Sequence, residues 1–232
     1  MIGIILIAIS WGLLRIEKRP LSAIGFNKPQ QRLIEFLTGL FLAGSFATLQ
    51  FILIAYFSNF GWKLNSDFNV TTFVDSLRWN INSVLFEELI FRGYLLYKAI
   101  EMLGVRNGCL LSAIAFGVYH WFSYGIFGNV VQMIYVFLLT GSFGLALALS
   151  FAMSKSVILP IALHLGWNLV TILVFSNGPL GAQLLISSLA EPEPLSGVEQ
   201  FITSILMPVS FVLIVGWLVT KKVRYYQRST LE

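Results

Sequence analysis

Three charged side chains, Glu87, Glu88 and Arg92, interrupt the apolar run Phe86-Glu87-Glu88-Leu89-Ile90-Phe91-Arg92-Gly93-Tyr94. An ionised group near the centre of a bilayer costs at least ~2.5 kcal/mol, so it should face protein and be paired. Glu88 and Arg92 are four residues apart with Glu first, the favourable order for an ion pair on one helix face. Glu87 points about 100° away from Glu88 around the helix and has no basic neighbour in sequence. A structural ion pair accounts for Glu88 and Arg92 and leaves Glu87 over, so Glu87 is the candidate functional acid. Both histidines of the chain, His120 and His164, also stand in apolar runs, and Asn168 follows His164 by four residues on the same face. An acid, two imidazoles and an amide in a wet pocket can hydrolyse an amide bond. Glu87 would take a proton from water, His120 would orient that water, and His164 with Asn168 would donate to the oxyanion. A zinc site built from Glu87, His120 and His164 is chemically as reasonable, and the residues alone do not separate the two.

Those residues need elements to carry them, and composition says which kind. The 232 residues are 57% hydrophobic and only 11% charged, with a mean hydropathy of +0.81. A water-soluble domain of this size cannot hide so much apolar surface, and a disordered chain would be far more polar. The expected fold is all-α, a polytopic transmembrane helical bundle. About seven spanning helices are expected, near 2–14, 33–58, 72–103, 109–123, 128–152, 157–176 and 201–220. Neither 109–152 nor 157–190 contains a single Asp, Glu, Lys or Arg. The ten-residue alternation of a membrane β-barrel is absent. The first segment lacks a preceding basic region and a following small-residue cleavage site, and reads as a retained helix. A single cysteine, Cys109, excludes an intramolecular disulfide and Cys-rich metal modules.

Lys and Arg in the loops set the orientation. Arg15, Lys18, Arg19, Lys28 and Arg32, then Lys98 and Arg106, then Lys155, then Lys221, Lys222, Arg224 and Arg228 fall in alternate connections. The opposite side keeps only Lys63 and Arg78. The expectation is an amino end outside and a carboxyl end in the cytoplasm, in the plasma membrane of a bacterium. The net charge of +4 is thereby a topology signal and a phospholipid contact rather than a nucleic-acid surface. Counted inward from the predicted cytoplasmic ends, Arg92 and His120 lie about 16 Å deep, with Glu87 about 8 Å beyond Arg92. His164 and Asn168 come out at about 10 and 16 Å, so three helices bring their polar groups to a similar depth.

Taken together, Glu87-Glu88-x-x-x-Arg92, Phe116-x-x-x-His120 and His164-x-x-x-Asn168 resemble, in order, the three motifs of the CAAX-protease and bacteriocin-processing (CPBP) intramembrane protease family. Phe91-Arg92-Gly93-Tyr94-Leu95 and Pro160-Ile161-Ala162-Leu163-His164 extend the likeness, which covers about residues 78–172. The resemblance implies a membrane endopeptidase of the kind that trims prenylated CAAX proteins, with bacterial relatives linked to bacteriocin maturation, self-immunity and lysostaphin resistance. It implies Glu87, His120, His164 and Asn168 as the catalytic centre, supported by Glu88 and Arg92. A metal-independent glutamate mechanism is favoured, with no cofactor; zinc remains the alternative. On this reading 1–77 are amino-terminal helices and loops and 78–172 the catalytic core. Residues 173–232 make an external loop, a last helix and a basic tail. The partners are a membrane-associated or lipidated protein or peptide and the bilayer itself. Two readings compete: a non-catalytic partner-binding or bacteriocin-immunity protein that keeps the pocket, and an ion carrier using Glu87 as a relay. The Asp residues lie outside or at the edge, no His-Glu-x-x-His helix exists, and Thr140-Gly141-Ser142-Phe143-Gly144 is not a rhomboid-type serine loop. Gly141 and Gly144 are expected to let helices approach closely.

Overall fold

A computed structural model describes residues 2–229. The chain is nearly all helical, as its composition demands. The helices are α1 (Ile2–Ile16), α2 (Pro29–Phe57), α3 (Val70–Phe91), α4 (Tyr94–Ser123) and α5 (Val130–Ser154). There follow α6 (Ile158–Asn168), α7 (Gly197–Phe201) and α8 (Met207–Ser229). Wider π turns extend α6 over Leu169–Val174 and join α7 to α8 over Ile202–Leu206. Two short strands, β1 (Trp62–Leu64) and β2 (Leu185–Ser187), pair antiparallel with Trp62 opposite Ser187. Local chemistry starts several helices: the Asn69 and Asn129 side chains accept from the amides of Thr72 and Gln132, and Pro29 opens α2.

Four stretches are long and apolar enough to cross a membrane: Leu21–Phe57, Val70–Ser123, Val130–Ser154 and Gly197–Leu218. Ile2–Ile16 and Ile158–Val174 are shorter apolar helices. The expectation of about seven spans therefore meets four helices of full length among the described residues. The difference has two sources. Two of the expected segments form helices under 18 residues, and two others are fused within the 54-residue stretch Val70–Ser123.

The expected single helix over 72–103 is also corrected. It breaks at Arg92-Gly93, where the backbone takes a course that admits only glycine: a Cβ on Gly93 would sit 2.2 Å from the Leu89 carbonyl oxygen. The chain then resumes as the first turns of α4 and reverses at Gly104, whose φ of 75° belongs to the left-handed region that glycine tolerates. Past that reversal α4 returns beside α3. The Ser112 hydroxyl donates to the Phe91 carbonyl at 2.9 Å, and the Phe91 ring meets Phe116 edge-on.

The bundle has two distinct ends. At one, Arg19 pairs with Glu101, Lys98 with Glu17, and Arg32 donates to the Ser154 carbonyl. The three connections rich in Lys and Arg therefore meet, as alternate loops of one side should. At the other end, about 43 Å away along α2, lies the small sheet, with Trp62 packed against Phe51, Phe60 and Phe175. Between them a core of Leu14, Ile24, Leu89, Leu96, Phe151, Val157 and Leu165 ties α1, α3, α4, α5 and α6 together. A second cluster, Ala43, Leu147, Leu163, Phe211 and Val215, seats α8. The α2–α6 contact is tight enough that a Cβ on Gly166 would come within 2.4 Å of the Leu40 carbonyl oxygen. Of the expected basic tail, the side chains of Lys222, Arg224 and Arg228 lie outside the described residues.

Candidate active site

Glu87 and Glu88 are adjacent on α3 and turn to different jobs. Glu88 is fully buried, and its Oε1 accepts from the Arg92 guanidinium at 2.9 Å, the pairing that their spacing predicts. The same oxygen lies 2.8 Å from His164 Nδ1 on α6, a contact that no sequence spacing reveals. Arg92 is buried as well. It donates to the Gly144 carbonyl on α5 at 3.0 Å and lies over the Phe116 ring at 4.1 Å. Gly144 is what admits it: a Cβ there would stand 3.0 Å from Arg92 Nη2 and 2.9 Å from Phe116 Cδ1. One buried ion pair thus fastens α3, α5 and α6 and fixes the rotation of a histidine.

Glu87 faces the other way, into a cavity of ≈ 830 Å³ lined by Ser83, Glu87, Tyr119, His120, Tyr124, His164, Trp167, Asn168 and Thr171, among others. All four expected catalytic residues line it, from α3, α4 and α6. Glu87 Oε2 stands 4.0 Å from His120 Nε2 and 3.9 Å from His164 Nε2. This oxygen is buried without a hydrogen-bond partner among the described residues. Both rings are held from behind. His120 Nδ1 lies 2.8 Å from the Phe116 carbonyl, which can only accept, so Nδ1 carries the hydrogen. His164 Nδ1 likewise serves the Glu88 carboxylate. With neutral rings, two Nε2 lone pairs and a carboxylate oxygen converge: three acceptors and no donor. What completes such a site must bring hydrogens or positive charge.

One water fits the gap, since separations near 4 Å suit a bridging molecule with contacts of about 2.8 Å, and its two hydrogens serve two of the three acceptors. Tetrahedral zinc fits less well. Its ligand atoms, each about 2.0–2.1 Å from the metal, stand ~3.3 Å apart, more than half an ångström closer than Glu87 is to either ring. Among the described residues no group of three His, Cys, Asp or Glu stands in a metal-holding arrangement. The donor types suit zinc and the spacing does not.

Sequence reasoning missed three things here. The Glu88–His164 bond joins residues 76 apart. The aromatic wall of Tyr119, Tyr124 and Trp167 has no spacing in the sequence that marks it as part of a site. His120 lies only three residues, about 5 Å, from the far end of α4 at Ser123, where counting from the opposite end conceals how near the opening is.

Residues 69–170 match the family model described as type II CAAX prenyl endopeptidase, Rce1-like. That stretch holds all three motifs, and the match agrees with the likeness to CAAX proteases that they carry. No curated protein and no solved structure matches the chain.

Proposed function

With an Rce1-like domain over residues 69–170 as the premise, we propose that this chain is an intramembrane endopeptidase whose nucleophile is a water activated by Glu87. The observation that supports it is the convergence of the Glu87 carboxylate and two rear-anchored imidazoles on one gap of water size inside a cavity. In this reading Glu87 takes a proton as the water oxygen attacks the peptide carbonyl. His120, its Nδ1 tied to Phe116, keeps an Nε2 lone pair aimed at the water. His164, its Nδ1 held by the Glu88 carboxylate, turns Nε2 to the same gap, and the Asn168 amide donates to the developing oxyanion. Glu87 then returns its proton to the leaving amine, and the C–N bond breaks. Glu88 and Arg92 are positioning residues, and no step needs a metal.

Seven crossings of a bacterial plasma membrane, amino end out and carboxyl end in, belong to the same proposal. The break at Gly93, the reversal at Gly104 and the meeting of the basic loops at one end support them. The substrate is a membrane-associated or lipidated polypeptide. The test is cleavage of a fluorogenic peptide ending in a farnesylated CAAX sequence by the purified, folded protein. Release by the wild type and its loss in Glu87→Gln is the expected result; equal release by both refutes the assignment.

A further inference from the structure

The exposed part of the cavity's lining lies at one end, and that end is poor in positive charge. Its floor is nearly sealed: Glu87, His120 and His164 are 8, 6 and 6% exposed. Beyond the floor, toward the Arg19, Lys98 and Ser154 end, the way is filled by Arg92, Phe116, Leu89, Leu96, Val157 and Leu165, all buried. In the opposite direction the lining becomes exposed at Ser123, Tyr124, Asn177, Gly178 and Pro179. Those residues belong to the last turn of α4 and the loop after it, and to the segment leading to β2, the end that carries the small sheet. Only Lys63 and Arg78 represent the basic residues there, whereas Arg19, Lys98, Arg32 and Lys155 gather at the sealed end. Alternate Lys/Arg-rich loops face the cytoplasm.

We infer that substrate enters this site from the extracytoplasmic face. The peptides it cuts are then exported or outward-projecting membrane-tethered segments. The inference rests on the hydrolase reading for what happens in the cavity, but its sidedness stands on the placement of mouth, plug and charge. Among the described residues the spaces at the sealed end are smaller, ≈ 170 Å³ lined by Ala23, Tyr97, Glu101 and Lys155 and ≈ 340 Å³ lined by Gly25, Asn27, Arg32 and Ile158, against ≈ 830 Å³, and neither shares a lining residue with the catalytic cavity.

The experiment uses the full chain with Cys109→Ala, carrying either Ser123→Cys at the mouth or Lys155→Cys at the basic end. A membrane-impermeant maleimide is applied to intact cells and to inside-out membrane vesicles. The expected outcome is labelling at position 123 in intact cells and its loss in inside-out vesicles, with position 155 behaving oppositely. The inverse pattern overturns the inference. So does labelling of position 123 from neither face when the detergent-denatured protein labels fully. A second arm tethers one reporter peptide to the outer or the inner leaflet, and only the outer reporter should be cut. Outward labelling with neither reporter cut leaves the sidedness standing and rejects the hydrolase reading, so the two failures are distinguishable.

Discussion

Neutralising the two adjacent glutamates should have opposite consequences. Glu88 Oε1 is the only carboxylate oxygen bonded to Arg92, and both side chains are fully buried. Glu88→Gln removes the countercharge and leaves the guanidinium with the Gly144 carbonyl at 3.0 Å and the Phe116 ring at 4.1 Å. Deleting one partner of a buried pair costs about 3–5 kcal/mol. Because glutamine still offers an acceptor oxygen, about 3 kcal/mol is the figure to expect. For a chain of this length that is a fall in Tm of roughly 6–12 °C. Glu87 Oε2 has no hydrogen-bond partner among the described residues and the carboxylate is hydrogen-bonded to Ser83, a bond that glutamine can keep, so Glu87→Gln takes a charge without a guanidinium partner out of a buried site and should leave Tm unchanged or raise it. Its activity, however, should fall by about 10²–10⁴-fold, the usual worth of a positioned general base. Thermal unfolding in detergent by intrinsic tryptophan fluorescence, run beside peptide cleavage, reads both quantities on the same samples. The reasoning fails if Glu87→Gln unfolds as early as Glu88→Gln, or if it retains activity.

Three further outcomes follow from the same geometry. Gly144→Ala places a methyl against two buried groups that have nowhere to retreat, Arg92 Nη2 and the Phe116 ring, and should cost about 1–3 kcal/mol; an unaltered unfolding midpoint would contradict the packing described. Asn168→Ala should lower kcat by about 10²–10³-fold with little change in KM if the amide serves the oxyanion, whereas in an ion carrier flux would survive it. Stringent chelation should leave cleavage intact, since Glu87 lies 3.9 and 4.0 Å from the two imidazoles. Activity that disappears with chelator and returns with zinc would show that the ligands close in.

The sequence determined the kind of fold and named the candidates that line the cavity. A chain with 57% hydrophobic residues and unbroken uncharged runs has no choice but helices in lipid, because no other open segment satisfies its own backbone there. The Glu88–Arg92 pair was legible for a local reason, four residues on one face. So were the candidates Glu87, His120, His164 and Asn168, since a polar group in an apolar run demands an explanation. The turn near Gly104 was legible from the flanking basic residues. The break at Gly93 was not, because what reserves that position for glycine is the approach of the Leu89 carbonyl, which exists only in the folded chain. Tertiary structure alone decided that Glu88 serves two partners, one of them 76 residues away. It also set the gap between Glu87 and the rings at water size, and turned the mouth away from the basic loops. Those facts depend on how α3, α4 and α6 are rotated and stacked against one another, and rotation between helices is fixed by packing, which no one-dimensional spacing records.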